Sequence, residues 1–389
     1  MTLSSRLPDF PWDSLADATK LARSHHDGIV DLSVGTPVDP TPEVAQHALA
    51  AASDAHGYPT VWGTPALRAA IISYLSRRWA AAPLSDENVL PVIGTKEIVG
   101  WLPTLLGLGP GDSVVIPKLA YPTYEVGARL VGANVICADS PAEVAEALAL
   151  RAGDTGILTA GAPASGTPTS GTPKLIWINY PANPHGVIAS PSVLREWIEY
   201  ARSVGAVLAS DECYGEFGWT AEPLSVLDAS LNGGDVTGLL AVHSVSKHSN
   251  MAGYRAGFVA GDNAVIQELL GLRKHLGMMV PAPVQAALAA VLATDEHVIA
   301  QRQRYLARRN ILRPALESAG FTIEHSDGGL YLWATRAESG RDSVAWLAGR
   351  GILVAPGDFY GALGANYIRV ALTATDERIA AAASRLTER

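Results

Sequence analysis

The sequence predicts an α/β protein with a large, mostly parallel central sheet flanked by helices and a second, smaller α+β part. Two observations support this fold class. Short apolar runs alternate with helical patterns through the middle of the chain, as strands joined by crossover helices do. From about Leu276 onward the pattern changes to long helical segments and a few separated strands, which indicates a second architecture.

Seven short apolar runs are the candidate strands of the large sheet. In chain order they are Asn88 to Ile93, Val114 to Ile116, Val135 to Ile136, Leu175 to Ile178, Ala206 to Ala209, Leu239 to Val242 and Phe258 to Ala260. Each is brief and almost uniformly apolar, which is typical of a strand buried on both faces or of a piece of buried helix. Their alternation with helical patterns favours parallel strands.

The clearest helix lies between two of these runs, from Ser190 to Gly205. Ser190 is suited to cap its first turn, and Pro191 is suited to its first position. One apolar face is formed by Val193, Leu194, Trp197, Ile198 and Ala201. A glycine at position 205 is a common way to end such a helix.

We expect two domains. Residues 35–275 form the large domain, and residues 1–34 and 276–389 form the small domain. The small domain is expected to contain helical segments between Gln285 and Leu316 and antiparallel strands at Leu330 to Trp333 and Tyr367 to Ala371. The stretch Ala160 to Thr172 is rich in Gly, Pro, Ser and Thr without an apolar period, so we expect a surface loop there.

Composition excludes several classes of protein. The 389 residues are 48% hydrophobic and 17% charged, which excludes a mostly disordered chain. A net charge of −9 provides no positive field for nucleic acid or an anionic membrane, so we expect neither partner. Two cysteines, a start unlike a signal peptide and the lack of a long apolar run together favour the cytoplasm.

Polar side chains follow three of the predicted strands. They occupy residues 179–186 (NYPANPHG), 210–214 (SDECY) and 243–248 (HSVSKH). Because ligands of open parallel sheets bind at the carboxyl ends of the strands, we expect these three clusters to converge on one site. In addition, Gly94, Thr95 and Lys96 open a helical pattern after a strand, so their backbone N–H groups are suited to bind an anion.

The third cluster carries a specific resemblance. The run SVSKHSNMAGYRAG, residues 244–257, resembles the lysine signature of class I/II aminotransferases, the fold-type I enzymes that use pyridoxal 5′-phosphate (PLP). The similarity extends from about Gly35 to Thr373. It implies a fold-type I PLP transferase that acts on small amino acid and 2-oxo acid substrates.

The resemblance implies catalytic roles for three residues. Lys247 would attach covalently to the PLP aldehyde and would carry a proton from the substrate α-carbon, a role suited to an amine made neutral by burial. Asp211 would keep the pyridine nitrogen protonated, and Tyr214 would hydrogen-bond the phenolate oxygen of PLP.

A second group of residues would hold the phosphate of PLP. The planar fork of Arg255 is suited to grip a phosphate dianion. The resemblance implies that this group consists of Gly94, Thr95, Lys96, Ser244, Ser246 and Arg255. It also implies that Tyr58 reaches the phosphate of the neighbouring subunit, so the protein would be a homodimer with shared active sites.

The remaining site residues face the cofactor ring and the substrate. The resemblance implies that Tyr121 stacks on the pyridine ring and that Asn183 helps Tyr214 at the phenolate oxygen. It implies that Arg369 binds the substrate α-carboxylate, and that the backbone at Gly35 and the side chain of Asn183 contribute to the same substrate site.

Two positions depart from the family pattern. His185 stands where the family more often has threonine, so the sequence assigns it no role. Cys213 stands where a small residue usually lies behind the cofactor ring.

The substrate is the finest part of the prediction. No arginine occurs in residues 276–285, where aspartate-specific relatives place one for a distal carboxylate. The runs GMMVPAPVQAA and YPTVWGTPALR are similar to those of actinobacterial N-succinyldiaminopimelate aminotransferases of lysine biosynthesis. This similarity implies N-succinyl-L,L-2,6-diaminopimelate and 2-oxoglutarate as substrates, with glutamate as the physiological amino donor.

Other functions remain open at this point. An aminotransferase with another amino acid substrate, or a PLP-dependent carbon–sulfur β-lyase, would use the same Lys247, Asp211 and Arg369. A non-catalytic relative that keeps the fold is disfavoured by the intact Lys247. A nicotinamide oxidoreductase is weaker still, because the glycine-rich stretch at residues 107–112 precedes a strand instead of following one.

Overall fold

The structure is a computed structural model that describes residues 7–8, 10–153 and 172–388. The surface loop predicted at residues 160–172 lies outside the described residues except for its last residue. Among the helices of the described segments, none is long and apolar enough to cross a membrane.

The described chain contains thirteen strands. They are β1 (Val30–Asp31), β2 (Val89–Val92), β3 (Ser113–Ile116), β4 (Asn134–Cys137), β5 (Pro173–Asn179), β6 (Val207–Asp211), β7 (Leu239–Ser244), β8 (Gly257–Gly261), β9 (Thr322–Glu324), β10 (Tyr331–Thr335), β11 (Ile352–Leu353), β12 (Ala355–Pro356) and β13 (Ile368–Ala371).

Helices alternate with these strands. They are α1 (Ala16–Arg23), α2 (Glu43–Ala51), α3 (Pro65–Trp79), α4 (Thr95–Leu105), α5 (Thr123–Val131), α6 (Pro141–Gly153), α7 (Pro191–Val204), α8 (Ala229–Asn232), α9 (Val245–His248), α10 (Asn263–Leu276), α11 (Ala282–Leu292), α12 (Glu296–Ser318), α13 (Gly340–Ala348) and α14 (Asp376–Thr387).

The large sheet has seven strands in the order β2-β8-β7-β6-β5-β3-β4. Each of the seven predicted apolar runs is one of its strands. Neighbouring strands from β7 to β4 are parallel, whereas β8 runs antiparallel to both β7 and β2. The predicted α/β class with a mostly parallel sheet is therefore confirmed.

Both faces of this sheet are covered by helices, because its strands alternate their side chains between two apolar cores. On β5, Ile176 and Ile178 pack with Trp197 of α7 and with residues of α3 and α11. The alternate residues Leu175 and Trp177 pack with residues of α4, α5 and α10.

Helix α7 forms as its sequence predicts. Ser190 Oγ accepts a hydrogen bond from the Val193 backbone N–H at 3.4 Å, and Gly205 ends the helix with a φ of 66°. Its predicted apolar positions Leu194, Trp197 and Ile198 are buried against the sheet.

A second, antiparallel sheet follows in the order β12-β13-β10-β9. It shares an apolar core with parts of α12, α13 and α14. The predicted helical region between Gln285 and Leu316 is two helices, α11 and α12, separated at residues 293–295. The short strand β1 pairs in parallel with β11, which brings the N-terminal segment beside this second sheet. The domain boundary near residue 275 stays a prediction.

Candidate active site

A cavity of about 800 Å³ lies where the carboxyl ends of β5, β6 and β7 meet the start of α4 and the second sheet. Most of the predicted site residues line it, namely Gly35, Thr95, Lys96, Tyr121, Asn183, Asp211, Tyr214, Ser244, Ser246, Lys247, Arg255 and Arg369. The fold thus brings together side chains that are spread over more than three hundred positions of the sequence. Gly94 and Tyr58 are not among the lining residues.

Gly94 lies directly behind the cavity wall. It precedes the first residue of α4 and has a φ of 73°, a left-handed conformation that glycine adopts without strain. A Cβ at this position would lie 2.5 Å from a terminal guanidinium nitrogen of Arg255. Gly94 therefore leaves room for Arg255 beside the N-terminus of α4.

Tyr58 lies away from the cavity in this single chain. Its side chain is 100% exposed. A role at the phosphate would therefore require a second copy of the chain, and this role stays a prediction.

Lys247 lies on the short helix α9, immediately after β7. Ser244 precedes this helix, and its hydroxyl accepts a hydrogen bond from the Ser246 backbone N–H at 3.1 Å. The Lys247 ammonium donates to the carbonyl oxygen of Gly35. Burial lowers the pKa of Lys247, and the charges of Arg369 and Arg255 lower it further, so this amine loses its proton more easily than an exposed lysine.

Asp211 ends β6 as a buried carboxylate with two donors. Its Oδ2 accepts a hydrogen bond from the Tyr124 hydroxyl at 2.7 Å, and its Oδ1 accepts from the Cys213 backbone N–H at 3.2 Å. Burial raises the pKa of Asp211, whereas hydrogen bonds from Cys213 and Tyr124 lower it in part. These donors help to keep the carboxylate charged inside the protein.

Cys213 lies between Asp211 and the start of α4. Its thiol is 3.2 Å from the Thr95 hydroxyl oxygen, to which it donates a hydrogen bond. Burial and the nearby charge of Asp211 raise the pKa of Cys213 well above its usual value. The side chain is therefore a weak hydrogen-bond donor in the cavity wall and a poor nucleophile.

Arg369 projects from β13 and is 3% exposed. One terminal nitrogen donates to Asn183 Oδ1 and the other to the Ser33 carbonyl oxygen, both at 2.9 Å. Its guanidinium carbon lies 3.9 Å from the ring centroid of Tyr331 and 4.8 Å from that of Tyr360. Among the described residues, Arg369 Nε has no hydrogen-bond partner. An unpaired buried donor on a cavity-lining arginine is suited to bind an anion.

Three functional residues were not predicted from the sequence. Tyr124 and Tyr331 line the cavity, but neither belongs to a motif. Asn179 belongs to the polar cluster at residues 179–186, but the sequence predicted no role for it. Its side-chain NH₂ donates to the Asp211 carbonyl oxygen, and its Oδ1 accepts from the Asn183 backbone N–H, both at 2.8 Å. Asn179 thus fixes the loops that follow β5 and β6 relative to each other.

His185 lies outside the cavity lining. Its half-buried ring is 5.7 Å from that of His325, and its Nδ1 accepts from the Val187 backbone N–H at 3.3 Å. Burial, together with His325, lowers the pKa of His185 to about 4. His185 is therefore a neutral packing residue near neutral pH.

The side chains of the cavity fit PLP. Two serine hydroxyls, Arg255 and the N-terminus of α4 are donors of the kind that bind a phosphate. The buried Asp211 is an acceptor suited to a protonated ring nitrogen, and Lys247 is a buried amine with a lowered pKa. Together they supply a donor set for the phosphate, a partner for the ring nitrogen and an attachment point for the aldehyde.

Comparisons with known proteins agree with this geometry. Residues 27–386 match the family model described as aminotransferase class I and II. The chain is 57% identical to a probable aminotransferase of Mycobacterium tuberculosis, over 99% of this chain and 86% of that protein. It is 53% identical to the 4-dedimethylamino-4-oxo-anhydrotetracycline transaminase OxyQ of Streptomyces rimosus, over 98% of this chain and 99% of that protein.

Similarity extends to a further enzyme and to a solved structure. The chain is 31% identical to an LL-diaminopimelate aminotransferase of Dehalococcoides mccartyi, over 97% of this chain and 96% of that enzyme. A crystal structure of an aminotransferase from Neisseria meningitidis superposes with a TM-score of 0.84 at 28% identity, over 99% of this chain and 98% of that chain.

Proposed function

Because the chain belongs to the class I and II aminotransferase family, whose members use PLP with amino acid and 2-oxo acid substrates, we propose that it transfers the amino group of N-succinyl-L,L-2,6-diaminopimelate to 2-oxoglutarate. We further propose that it acts as a homodimer in the cytoplasm, with Tyr58 of each chain at the phosphate of the other. The exposure of Tyr58 in the single chain supports the shared site.

The site residues divide the work of transfer between them. PLP bound here would supply an aldehyde that accepts the substrate amino group and a protonated ring that withdraws electrons from the α-carbon. Asp211 holds the proton on the ring nitrogen. Lys247 takes the proton from the substrate α-carbon at Nζ, because burial lowers its pKa. Arg369 binds the α-carboxylate and so orients the α-carbon towards Lys247.

The charge of the cavity is the observation that carries the substrate proposal. Four cations line it, Lys96, Lys247, Arg255 and Arg369, against the single carboxylate of Asp211. Lys247 holds the cofactor, Arg255 the phosphate and Arg369 the α-carboxylate. The predicted phosphate site needs only the backbone N–H of Lys96. Its side chain is exposed, and among the described residues its ammonium makes no ion pair and lies 6.0 Å from the ring centroid of Phe10.

A free cation suits a substrate with a second carboxylate. N-succinyl-diaminopimelate has two carboxylates besides the one on the reacting carbon, and 2-oxoglutarate has one, whereas alanine and the aromatic amino acids have none. The similarity to LL-diaminopimelate aminotransferases over nearly the whole chain supports a diaminopimelate skeleton. We therefore assign the Lys96 ammonium to the distal carboxylate of the substrate.

A second candidate substrate has its own support. The Streptomyces rimosus transaminase, named for an oxo-anhydrotetracycline, is 53% identical over nearly both full lengths. The cavity wall also contains the apolar side chains of Phe10, Trp12 and Val34, which suit a large ring system. A polycyclic ketone is thus the alternative amino acceptor.

A substrate panel tests these assignments. The PLP-loaded protein is assayed for glutamate formation from 2-oxoglutarate with N-succinyl-diaminopimelate, LL-diaminopimelate, alanine and phenylalanine as donors. We expect kcat/KM for the succinylated donor to exceed those for alanine and phenylalanine by about a hundredfold, because specificity is differential transition-state binding. LL-diaminopimelate also carries a distal carboxylate, so its comparison with the succinylated donor tests the succinyl group alone. Lys96→Gln should remove most of the advantage over alanine and phenylalanine, whereas Lys20→Gln, at another exposed lysine outside the cavity lining, should not.

Other outcomes point to other functions. Faster turnover of alanine or phenylalanine contradicts the substrate proposal, and turnover of the oxo-anhydrotetracycline with glutamate favours the alternative. Release of pyruvate and ammonia from cystathionine without any oxo acid indicates a β-lyase. Addition of L-glutamate alone should bleach the visible band of the bound cofactor and release 2-oxoglutarate, and Lys247→Ala should abolish this response.

A further inference from the structure

Tyr331 lies at the start of β10, where the second sheet reaches the cavity. It is 4% exposed and lines the cavity, although no motif pointed to it. In the pairing of β10 with β13, Tyr331 lies opposite Ala371, and Trp333 lies opposite Arg369. Tyr331 and Arg369 are therefore diagonal neighbours on one face of the sheet.

The ring of Tyr331 supports Arg369. The guanidinium carbon lies 3.9 Å from the ring centroid, while its terminal nitrogens bond Asn183 and the Ser33 carbonyl oxygen. An aromatic face attracts a cation and limits the tilt of its plane. Removal of this ring would leave the guanidinium free to turn away from an incoming carboxylate.

The hydroxyl of Tyr331 contacts a different part of the site. It lies 3.0 Å from the Tyr214 hydroxyl oxygen, and the two phenols share a hydrogen bond. The two rings are 5.7 Å apart at 72°, an edge-to-face arrangement. A Cβ on Gly35 would overlap the Tyr331 hydroxyl, so Gly35 leaves the space in which this hydroxyl lies.

The charged and titratable groups around this hydroxyl are Lys247, Arg369, Cys213 and Tyr214. Burial raises the pKa of Tyr331, but Arg369, Lys247 and the hydrogen bond with Tyr214 bring that pKa below its usual value. By contrast, burial and Tyr331 raise the pKa of Tyr214 well above its usual value. The two phenols are therefore distinct, although they touch.

We propose that Tyr331 is a positioning residue that joins the two halves of the active site, its ring orienting Arg369 and its hydroxyl orienting Tyr214. The proposal rests on the proposed function, in which Arg369 binds the substrate carboxylate and Tyr214 bonds the phenolate oxygen of PLP. The two contacts use different atoms of one side chain. Substitutions can therefore separate them.

Tyr331→Phe keeps the ring and removes the hydroxyl. Binding of 2-methylglutamate, an amino acid without an α-hydrogen, should stay within about threefold of the unsubstituted protein, because the ring still supports Arg369. The pH midpoint of the visible band of the bound cofactor should shift in the same direction as in Tyr214→Phe, and kcat should fall about tenfold. The double variant should resemble Tyr214→Phe alone.

Tyr331→Met has a similar volume but no aromatic face. It should show the same shift of the pH midpoint and, in addition, a dissociation constant for 2-methylglutamate raised about tenfold. Thermal unfolding of the cofactor-free protein shows whether this variant folds. If it does not fold, Gly35→Ala tests the contact between the Tyr331 and Tyr214 hydroxyls, because the added Cβ displaces the Tyr331 hydroxyl. This substitution should shift the pH midpoint of the visible band only when Tyr331 is present.

Two results would overturn the proposal. One is an unchanged midpoint in Tyr331→Phe, and the other is equal binding of 2-methylglutamate by the Phe and Met variants. Neither readout depends on the succinylated substrate. If the Tyr331 variants separate as expected while the substrate panel favours another donor, only the proposed substrate fails.

Discussion

At the scale of single residues, the charge of the Asp211 carboxylate depends on a few hydrogen-bond donors. Its carboxylate is buried, and one of its two oxygens depends on the hydroxyl of Tyr124 at 2.7 Å. The Tyr124 ring stacks on Trp177 with centroids 5.0 Å apart, so the hydroxyl is held in place by packing. A charge with so few partners is sensitive to the loss of one.

Tyr124→Phe removes that donor without changing the packing. Burial already raises the pKa of Asp211 in the folded, cofactor-free protein above the ordinary carboxyl value of about 4 that it has in the unfolded chain. At a pH between these two pKa values, the folded protein holds a proton on Asp211 and the unfolded chain does not. Stability therefore falls as pH rises through this window. The variant raises this pKa further, so its destabilisation should grow with pH and reach about 1.5–3 kcal/mol at pH 7.

Urea unfolding of the cofactor-free protein between pH 4 and pH 7 measures this difference. Tyr305→Phe is the matched control, because among the described residues the buried Tyr305 hydroxyl has no hydrogen-bond partner. A destabilisation of Tyr124→Phe that is the same at both ends of the range would contradict the prediction.

Site residues at the ends of strands are easier to predict from the sequence than site residues whose contacts depend on how separate elements pack. Lys247, Asp211 and Asn183 were predictable because each lies at the carboxyl end of a strand or within four residues of it, and parallel strands end at one edge of the sheet. Tyr124 and Tyr331 were not, because their contacts depend on which helix and which second sheet meet that edge. Their sequence neighbourhoods are those of ordinary core aromatics.

At the scale of elements, the start of α4 shows how one backbone conformation serves binding. Gly94 has a φ of 73°, and its Cα faces the guanidinium of Arg255. Arg255 itself has a φ of 52°, and its side chain donates to the Ala252 carbonyl oxygen at 2.8 Å. Two unusual backbone positions thus bring an arginine beside a helix N-terminus.

Gly94→Ala should weaken PLP binding more than it weakens the fold. With a φ of 73° and a ψ of 153°, Gly94 has a conformation almost confined to glycine, which costs an alanine about 1–3 kcal/mol of stability. The added Cβ would lie 2.5 Å from Arg255, whose flexible side chain must then move away from the phosphate site. We expect PLP affinity, measured by absorbance titration of the cofactor-free protein, to fall about tenfold or more.

Gly205→Ala is the control for backbone strain alone. Gly205 has a φ of 66° at the end of α7, and a Cβ there would meet no atom within 4 Å. The ψ of 32° at Gly205 places it in the left-handed helical region, which an alanine adopts at a lower cost than the conformation of Gly94. The variant should therefore lose less free energy of unfolding than Gly94→Ala and keep its PLP affinity. Equal PLP affinities in the two variants would show that Gly94 does not make room for Arg255.

Elements were more predictable than their arrangement. All seven strands of the large sheet and helix α7 follow from local apolar runs and caps. Local patterns do not predict that β8 runs in the reverse direction or that it lies between β2 and β7. A buried parallel strand and a buried antiparallel strand have the same apolar pattern. The helical segments predicted between Gln285 and Leu316 are α11 and α12, although the break between them was not predicted from the sequence.

At the scale of the whole molecule, the cavity is built from three separate parts of the chain. The large sheet supplies Lys247 and Asp211, the second sheet supplies Arg369 and Tyr331, and the N-terminal segment supplies Gly35. The Gly35 carbonyl oxygen accepts from Lys247, and the Ser33 carbonyl oxygen accepts from Arg369. The N-terminal segment therefore contacts both sheets at the site.

The proposed homodimer adds a fourth part, because Tyr58 would come from the other chain. An inactive variant and a variant with weakened PLP binding then complement each other at a limiting PLP concentration. In a heterodimer of Tyr58→Ala with Lys247→Ala, the intact Lys247 lies in the chain that lacks Tyr58, and it receives Tyr58 from its partner. Its other site lacks both residues. One complete site per dimer should give about half of the activity of the unsubstituted protein.

Co-expression with two different affinity tags and purification through both tags isolates this heterodimer for the assay. The Lys247→Ala homodimer should be inactive, and the Tyr58→Ala homodimer should bind PLP about tenfold more weakly because each phosphate loses a donor. If Tyr58 acted within its own chain, the only Lys247 in the heterodimer would lie in a site without Tyr58. Activity at half the level of the Tyr58→Ala homodimer would therefore contradict the shared site, whereas activity well above that homodimer requires that Tyr58 cross between chains.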